Sequence, residues 1–451
     1  MASTQQSSRS IFHTWWPLAA SWLLMGIELP IISAVIARLE NPEISLAAYG
    51  GVIFPLALII ESPIIMLLAA STALSKDWVS FAKIRRFMMI AGACLTLLHI
   101  LIAFTPLYYV IVEKLFGVPQ VIVEPARVGL MIMIPWTWAI AYRRFHQGML
   151  IRFGHSRAVS TGTLIRLGAD LMVLGVGYAI HDISGIIVAT SAVVAGVVSE
   201  AIYVGFIARP VIKYELKPAP PIQPVLTWRA FFAFYIPLVM TALLSLLVQP
   251  IGAAALSRMP QPIESLATWA VVSGLVFMFR SAGIAYNEVV VALLDEFQAA
   301  KRLWKFAVNL ILITTGIWLL FMATPISSFW FQTLSALPEN LAELARVGIW
   351  ITLPMPALAV LQSWYQGALL HSHKTKAITE AVLVYLFVNI ATLMMGVMSG
   401  KVIGLYIGLV SFVLSTLIQT VWLWYRSQHA ITAVHHRDEI EISIPPAEIV
   451  S

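Results

Sequence analysis

The chain is written twice. Residues 17 to about 208 recur at an offset of 219 or 220 as residues 237 to about 427, so whatever one copy folds into, the other must fold into as well. Five prolines keep register: Pro17 with Pro237, Pro30 with Pro250, Pro42 with Pro262, Pro106 with Pro325, and Pro135 with Pro354. Proline is only about 5% of an ordinary chain, so composition does not produce five aligned pairs. Ser45-Leu46-Ala47 matches Ser265-Leu266-Ala267, Gln147-Gly148 matches Gln366-Gly367, and Gly177 and Gly185 match Gly396 and Gly404. The offset slips by one residue between Tyr49/Trp269 and Ser62/Ser281.

Both copies are apolar. With 60% hydrophobic and 11% charged residues in 451, and a mean hydropathy of +0.87, polar surface is too scarce to cover a soluble core. A bilayer core of about 30 Å takes roughly 20 apolar residues per helix. Six such stretches fit the first copy, near 15–37, 46–70, 87–108, 127–149, 157–180 and 184–208, and six the second, near 231–254, 266–292, 303–325, 346–370, 377–398 and 402–425. The expected fold class is an all-α polytopic membrane protein of twelve transmembrane helices in two parallel six-helix repeats. Cys94 is the only cysteine, which excludes a disulfide framework and a cysteine metal site.

The charges fix an expected orientation. The formal net charge of +6 is a topology signal rather than a nucleic-acid footprint, because the basic residues sit in short connections between apolar stretches. Counting residues such as Lys83, Arg85, Arg86, Arg143, Arg144, Arg157, Lys301 and Arg302, about 20 fall on one side. About 6 fall on the other: Arg38, Lys114, Arg127, Arg258, Arg346 and Lys401. Both termini are then cytoplasmic, in the cell membrane. Six crossings per copy make the repeat parallel, with its pseudo-two-fold axis along the membrane normal. The expected layout is a cytoplasmic segment 1–14 leading into an uncleaved first span, a bundle 15–208, a linker 209–230, a bundle 231–425 and a disordered cytoplasmic tail 426–451. Lys217-Pro218-Ala219-Pro220-Pro221 should make the linker an extended, semi-rigid spacer.

Ionisable groups inside spans cost a few kcal/mol each and mark function. They are Glu28, Glu61, Arg166, Asp170, Glu200, Arg280 and Glu288. Glu61 and Arg280 stand 219 apart, so a two-fold operation sets them at similar depth on facing bundles, as a polar substrate seat or a static lock. Arg166 and Asp170 lie one helical turn apart and are expected to neutralise each other; their second-copy equivalents are Tyr385 and Asn389. Glu28 precedes Pro30, which strips a nearby carbonyl of its donor, so Glu28 is a candidate for a proton or sodium ion, with Asp170 as a second ligand. Glu288 is expected toward the cytoplasmic mouth.

Other features read as structural. Gln147-Gly148 and Gln366-Gly367 suggest helix ends, and Gly400, Gly404 and Gly408 close helix packing. His371-Ser372-His373 is no more than a loose metal pattern. Gly396 to Lys401 falls short of a phosphate loop, and neither a His-Glu-x-x-His nor a Gly-x-Ser-x-Gly motif is present, so no enzyme is expected.

These residues resemble the MATE/MOP exporter superfamily of drug and lipid-linked-sugar exporters, and within it the progressive ankylosis protein family. The likeness rests on Glu28 upstream of Leu46-Ala47-Ala48-Tyr49-Gly50, on Tyr108-Tyr109 with Lys114-Leu115 ahead of span 4, and on Glu288 in span 8. It implies V-shaped halves, alternating access and export, with organic or phosphate-bearing anions as cargo. The expected function is a monomeric secondary exporter of a small solute, coupled to H+ or Na+ and using no cofactor. A lipid-linked-precursor flippase is the alternative within transport, and a non-transporting membrane scaffold the alternative outside it.

Overall fold

Proline places the breaks, and both copies break in the same places. The computed structural model describes residues 2–296, 299–372, 374 and 376–443, and every element among them is helical. The first copy gives α1 (Ala2–Ile36), α2 (Pro42–Leu74), α3 (Trp78–Phe104), α4 in two pieces (Gln120–Ile132 and Ile134–Arg152), α5 (Ser156–Ile180) and α6 (Gly185–Leu216). The second gives α7 (Trp228–Leu256), α8 (Pro262–Leu293), α9 (Ala299–Ala323), α10 in two pieces (Glu339–Thr352 and Met355–His371), α11 (Lys376–Ser399) and α12 (Gly404–Ser443). Ten of these are long and apolar enough to cross a bilayer, and α10 qualifies as a pair bent by 41°. The twelfth, α4, matches α10 in register but carries Glu124, Arg127, Arg143 and Arg144.

The repeat extends to backbone detail. Asn41 and Gln261 both turn through left-handed φ, 50° and 54°, to deliver Pro42 and Pro262 at the first position of a helix. α4 breaks at Met133 and α10 after Thr352, each two residues ahead of a paired proline. Gln147-Gly148 and Gln366-Gly367 correct the sequence expectation: they lie inside helices. A Cβ on Gly148 would stand 2.3 Å from the Leu68 carbonyl oxygen, and one on Gly367 would stand 2.6 Å from a Val290 methyl, so both glycines seat the fourth helix of a copy on the second.

At the end away from the termini the two copies share one apolar core, with Ile36, Leu46 and Val52 against Leu266, Val271 and Leu275. Here α2 meets α8 so closely that a Cβ on Gly50 would lie 2.4 Å from that of Ala270. Two arginines in equivalent positions, 220 apart, latch this end. Arg258 donates to the carbonyls of Phe116 (2.7 Å), Leu115 (2.7 Å) and Lys114 (3.3 Å), and Arg38 donates to the carbonyl of Thr333 (2.7 Å). Each guanidinium caps the π-helical turn of the opposite copy, Val110–Phe116 or Phe329–Leu334, where orphan carbonyls need donors.

At the end holding both termini the copies exchange helices. Ile11, Trp15 and Ala19 of α1 pack with Val289, Leu303 and Val434, and Trp15 donates to the Ala282 carbonyl at 2.9 Å. In return Phe231 and Tyr235 of α7 pack edge to face against Phe87 of α3, and the Tyr235 hydroxyl donates to the Pro63 carbonyl. Two expectations are corrected here. Residues 1–14 are not a separate segment, since α1 starts at Ala2. Nor is 426–443 a disordered tail: α12 continues through it, because Val434 buries an apolar face and Arg437 donates to the Leu294 carbonyl at 2.8 Å. The rest of the proposed tail, 444–451, lies outside the described residues.

The linker is strapped down rather than free. Asp77 caps α3 by accepting from the Ser80 amide (2.8 Å) and from the linker amide of Ile222 (3.0 Å), and Lys83 donates to the Leu226 carbonyl. Burial pushes the Asp77 carboxyl up, but the hydrogen bonds from Ser80 and Ile222 outweigh it and hold the pKa below the ordinary value. A depressed carboxylate stabilises the fold above its unfolded pKa of about 3.9 and loses that contribution as pH falls. The strap should therefore loosen on acidification below about pH 4. Limited proteolysis at Lys217 checks it: cleavage should rise in acid for the parent and be high at every pH for Asp77→Asn.

Candidate functional site

The intramembrane charges of the first copy converge on one buried network. Arg166 of α5 forks onto Glu28 of α1, with nitrogen–oxygen distances of 2.8 and 3.4 Å, and its Nε stands 3.7 Å from Glu200 of α6. Glu200, with no exposure, also takes Arg143 of α4 as an ion-pair partner and accepts from the Gln147 amide at 2.8 Å. Asp170 lies beside Glu28, 2% exposed, and neither of its carboxylate oxygens has a hydrogen-bond donor. It fits because residue 196 of α6 is glycine: a Cβ there would sit 1.8 Å from Asp170 Oδ1. The Tyr49 hydroxyl, buried and without a partner, faces Glu28 and Asp170.

Two sequence expectations change. Arg166 does not neutralise Asp170 within α5. It reaches across to Glu28, because three helices meet at its guanidinium and a fork binds a carboxylate better through two parallel bonds than through a neighbour one turn away. Glu61 and Arg280 do not face each other either. Glu61 is 3% exposed in the first copy, where the charges acting on it are those of Arg144 and Arg143, while Arg280 stays within the second. A two-fold operation carries equivalent residues into equivalent sites of their own halves, at like depth but not in contact.

In the second copy the same positions build a different site. Arg280 lines a cavity of about 230 Å³ together with Gln249, Ser273, Tyr385 and Asn389, and with Trp269, Phe277 and Phe412 as its aromatic wall. Its guanidinium lies 5.2 Å over the Phe412 ring and its Nε has no acceptor. Among the described residues no carboxylate pairs with it. Asn389, 4% exposed, donates to Ser411 Oγ at 2.8 Å, and its Oδ1 has no donor. The expected constellation is therefore two sites: Glu28, Glu61, Arg166 and Asp170 in the first copy, and Arg280 and Asn389 in the second. Glu288 joins neither. It is exposed on α8 and accepts from Trp22 Nε1 at 3.4 Å.

Sequence reasoning missed Arg143, Gln147 and Tyr49. Arg143 and Gln147 are one helical turn apart and share a face, a signal hidden by reading Arg143 as part of a loop.

Residues 34–181 match the family model of progressive ankylosis protein (ANKH). No curated protein sequence matches the chain. Among solved structures, the lipid II flippase MurJ in an inward closed conformation superposes with a TM-score of 0.67 at 15% identity, over 94% of this chain and 91% of that one. A MATE transporter of Vibrio cholerae gives 0.66 at 18% identity, over 96% and 100%. An inward-facing multidrug resistance MATE family transporter of the MOP superfamily gives 0.65 at 14% identity, over 91% and 96%. The chain is a polytopic membrane protein with the MATE/MOP fold, and the resemblance read from its sequence is borne out.

Proposed function

We propose that this chain is a secondary active exporter of small organic anions in the cell membrane, with both termini cytoplasmic and H+ or Na+ as the coupling ion. The observation that carries the reading is the opposite polarity of equivalent sites. In the first copy three carboxylates, Glu28, Asp170 and Glu200, stand against two guanidiniums, Arg166 and Arg143, and Glu61 is balanced by Arg144. One negative charge is left over, beside a pair of carboxyls with an unused tyrosine hydroxyl. A buried net charge is costly, so the site calls for a proton or a monovalent cation. Glu28 and Asp170 would hold it. In the second copy Arg280 leaves one positive charge over in a cavity, which calls for an anion. The latch contacts of Arg38 and Arg258, at the end away from the termini, would then lie on the outer face and open when the halves rock.

A membrane potential supplies about 2.3 kcal/mol per charge per 100 mV, enough to concentrate a solute tens of times. A flippase for lipid-linked precursors fits less well, because three of the four intramembrane arginines face carboxylates and leave one for a polyanionic headgroup. A scaffold gives no reason to keep two unbalanced charges. The test is transport in proteoliposomes with benzoate, succinate and phenyl phosphate under imposed H+ or Na+ gradients. The parent should show flux stimulated by one gradient, and Glu28→Gln and Asp170→Asn should lose the stimulation but keep gradient-free exchange. Parent flux indifferent to both gradients would remove the coupling.

A further inference from the structure

The Arg280 cavity says more about its occupant than that it is an anion. We infer that the seat takes a compact monoanion: one carboxylate on a flat apolar body that also carries a hydroxyl or N–H. This rests on the transporter reading for its role but not for its chemistry.

Charge counting sets the first limit. Among the described residues Arg280 is the one cationic side chain lining the cavity, and its guanidinium fork matches one carboxylate through two parallel hydrogen bonds. A second negative charge on the ligand would be buried with nothing to balance it, at a cost that exceeds what binding returns. Size and shape set the next. A cavity of about 150 Å³ is known to take benzene, so about 230 Å³ holds one substituted ring but not two. Trp269 and Phe412 stand edge to face at 6.1 Å, and the Arg280 guanidinium lies 5.2 Å over the Phe412 ring. A carboxylate held by this guanidinium thus has its own body beside the aromatic lining of Trp269, Phe277 and Phe412. The buried Asn389 Oδ1 lacks a donor, and a ligand hydroxyl or N–H would satisfy it.

The equivalent positions of the first copy explain why the preference is built in. Arg280, Tyr385 and Asn389 correspond to Glu61, Arg166 and Asp170. Two of three charged positions have become neutral hydrogen-bonding groups, which leaves a seat that recognises a polar ring but tolerates one charge.

The test uses purified full-length protein in detergent with no gradient, so that binding is read separately from coupling. Three probes share ring and hydroxyl and differ in charge: 4-hydroxybenzoate, 4-hydroxyphthalate and 4-hydroxybenzamide. Calorimetric or thermal-shift affinity should rank the monoanion first by about tenfold or more over both others. Arg280→Gln should reduce its affinity about 10- to 100-fold without affecting the amide, and Arg280→Lys should recover part of the loss. Asn389→Asp, which places a carboxylate beside Arg280, should abolish monoanion binding in a protein that still melts cooperatively. A dianion bound as tightly as the monoanion, or no binding of any probe by the parent, overturns the inference. Arg280-dependent monoanion binding without gradient-driven flux would instead sink the coupled-exporter reading and leave the seat standing.

Discussion

A Glu200→Leu variant should unfold with about 3–5 kcal/mol less free energy than the parent, read from its melting in detergent micelles. Glu200 is the acceptor for the Arg143 ion pair and the Gln147 amide, and it stands within reach of Arg166. Removing it strands Arg143, at 7% exposure, without its carboxylate partner. Glu200→Gln separates stability from coupling. It keeps the shape and one acceptor oxygen, so it should melt within a few degrees of Glu200→Asp, yet it cancels the surplus negative charge. Gradient stimulation of flux should then vanish while exchange persists. Stimulation that survives Glu200→Gln would mean that the surplus charge does not recruit the ion.

The second large effect is expected at the opposite end. Arg258 spans four carbonyl acceptors, including its own Ala254 at 2.6 Å, and Arg38 spans two. Hydrogen bonds from charged donors contribute about 1.5–3 kcal/mol when buried, and these are partly exposed, so about 1–2 kcal/mol for each arginine is a fair discount. Arg38→Ala with Arg258→Ala should shift the balance toward a form open at this end by about tenfold or more. Spin labels at the exposed Glu40 and Glu339 report it: the distance distribution should gain a longer component in the double variant, and a single unchanged peak would show that the guanidiniums do not hold this end. Gly117, at φ 70° and with Arg258 3.1 Å from where its Cβ would stand, keeps the turn free for that arginine.

Much of this was legible in the sequence because a duplication doubles every signal. Paired prolines marked the register of the two copies, and the structure puts helix starts at Pro42 and Pro262 and breaks ahead of Pro135 and Pro354, because a missing amide acts locally, whatever surrounds it. Isolated charges in apolar stretches identified Glu28, Arg166, Asp170 and Arg280 as the residues to watch. What could not be read was which of them meet. Arg143 and Arg144 sit near the end of a span where basic residues normally reach water. Arg143 is buried and Arg144 half-buried because α4 continues to Arg152, and α6 presents Glu200 to Arg143, a contact that depends on how residues 57 positions apart in the chain pack. Gln147-Gly148 looked like a terminus because glycine serves both at helix ends and where helices touch, and only the backbone of Leu68 decides between the two. The pairing of Glu61 with Arg280 failed for a general reason: symmetry predicts correspondence, not proximity.

The exchange of α1 and α7 between the copies has a mechanical consequence. Each half wears a helix that begins in the other, so the halves are clasped like interlaced fingers where the chain enters and leaves. Releasing the far end cannot let them drift apart. Under the proposed transport cycle it would swing them about the clasp, so that parting of the far end becomes a lever motion across the whole thickness of the bilayer.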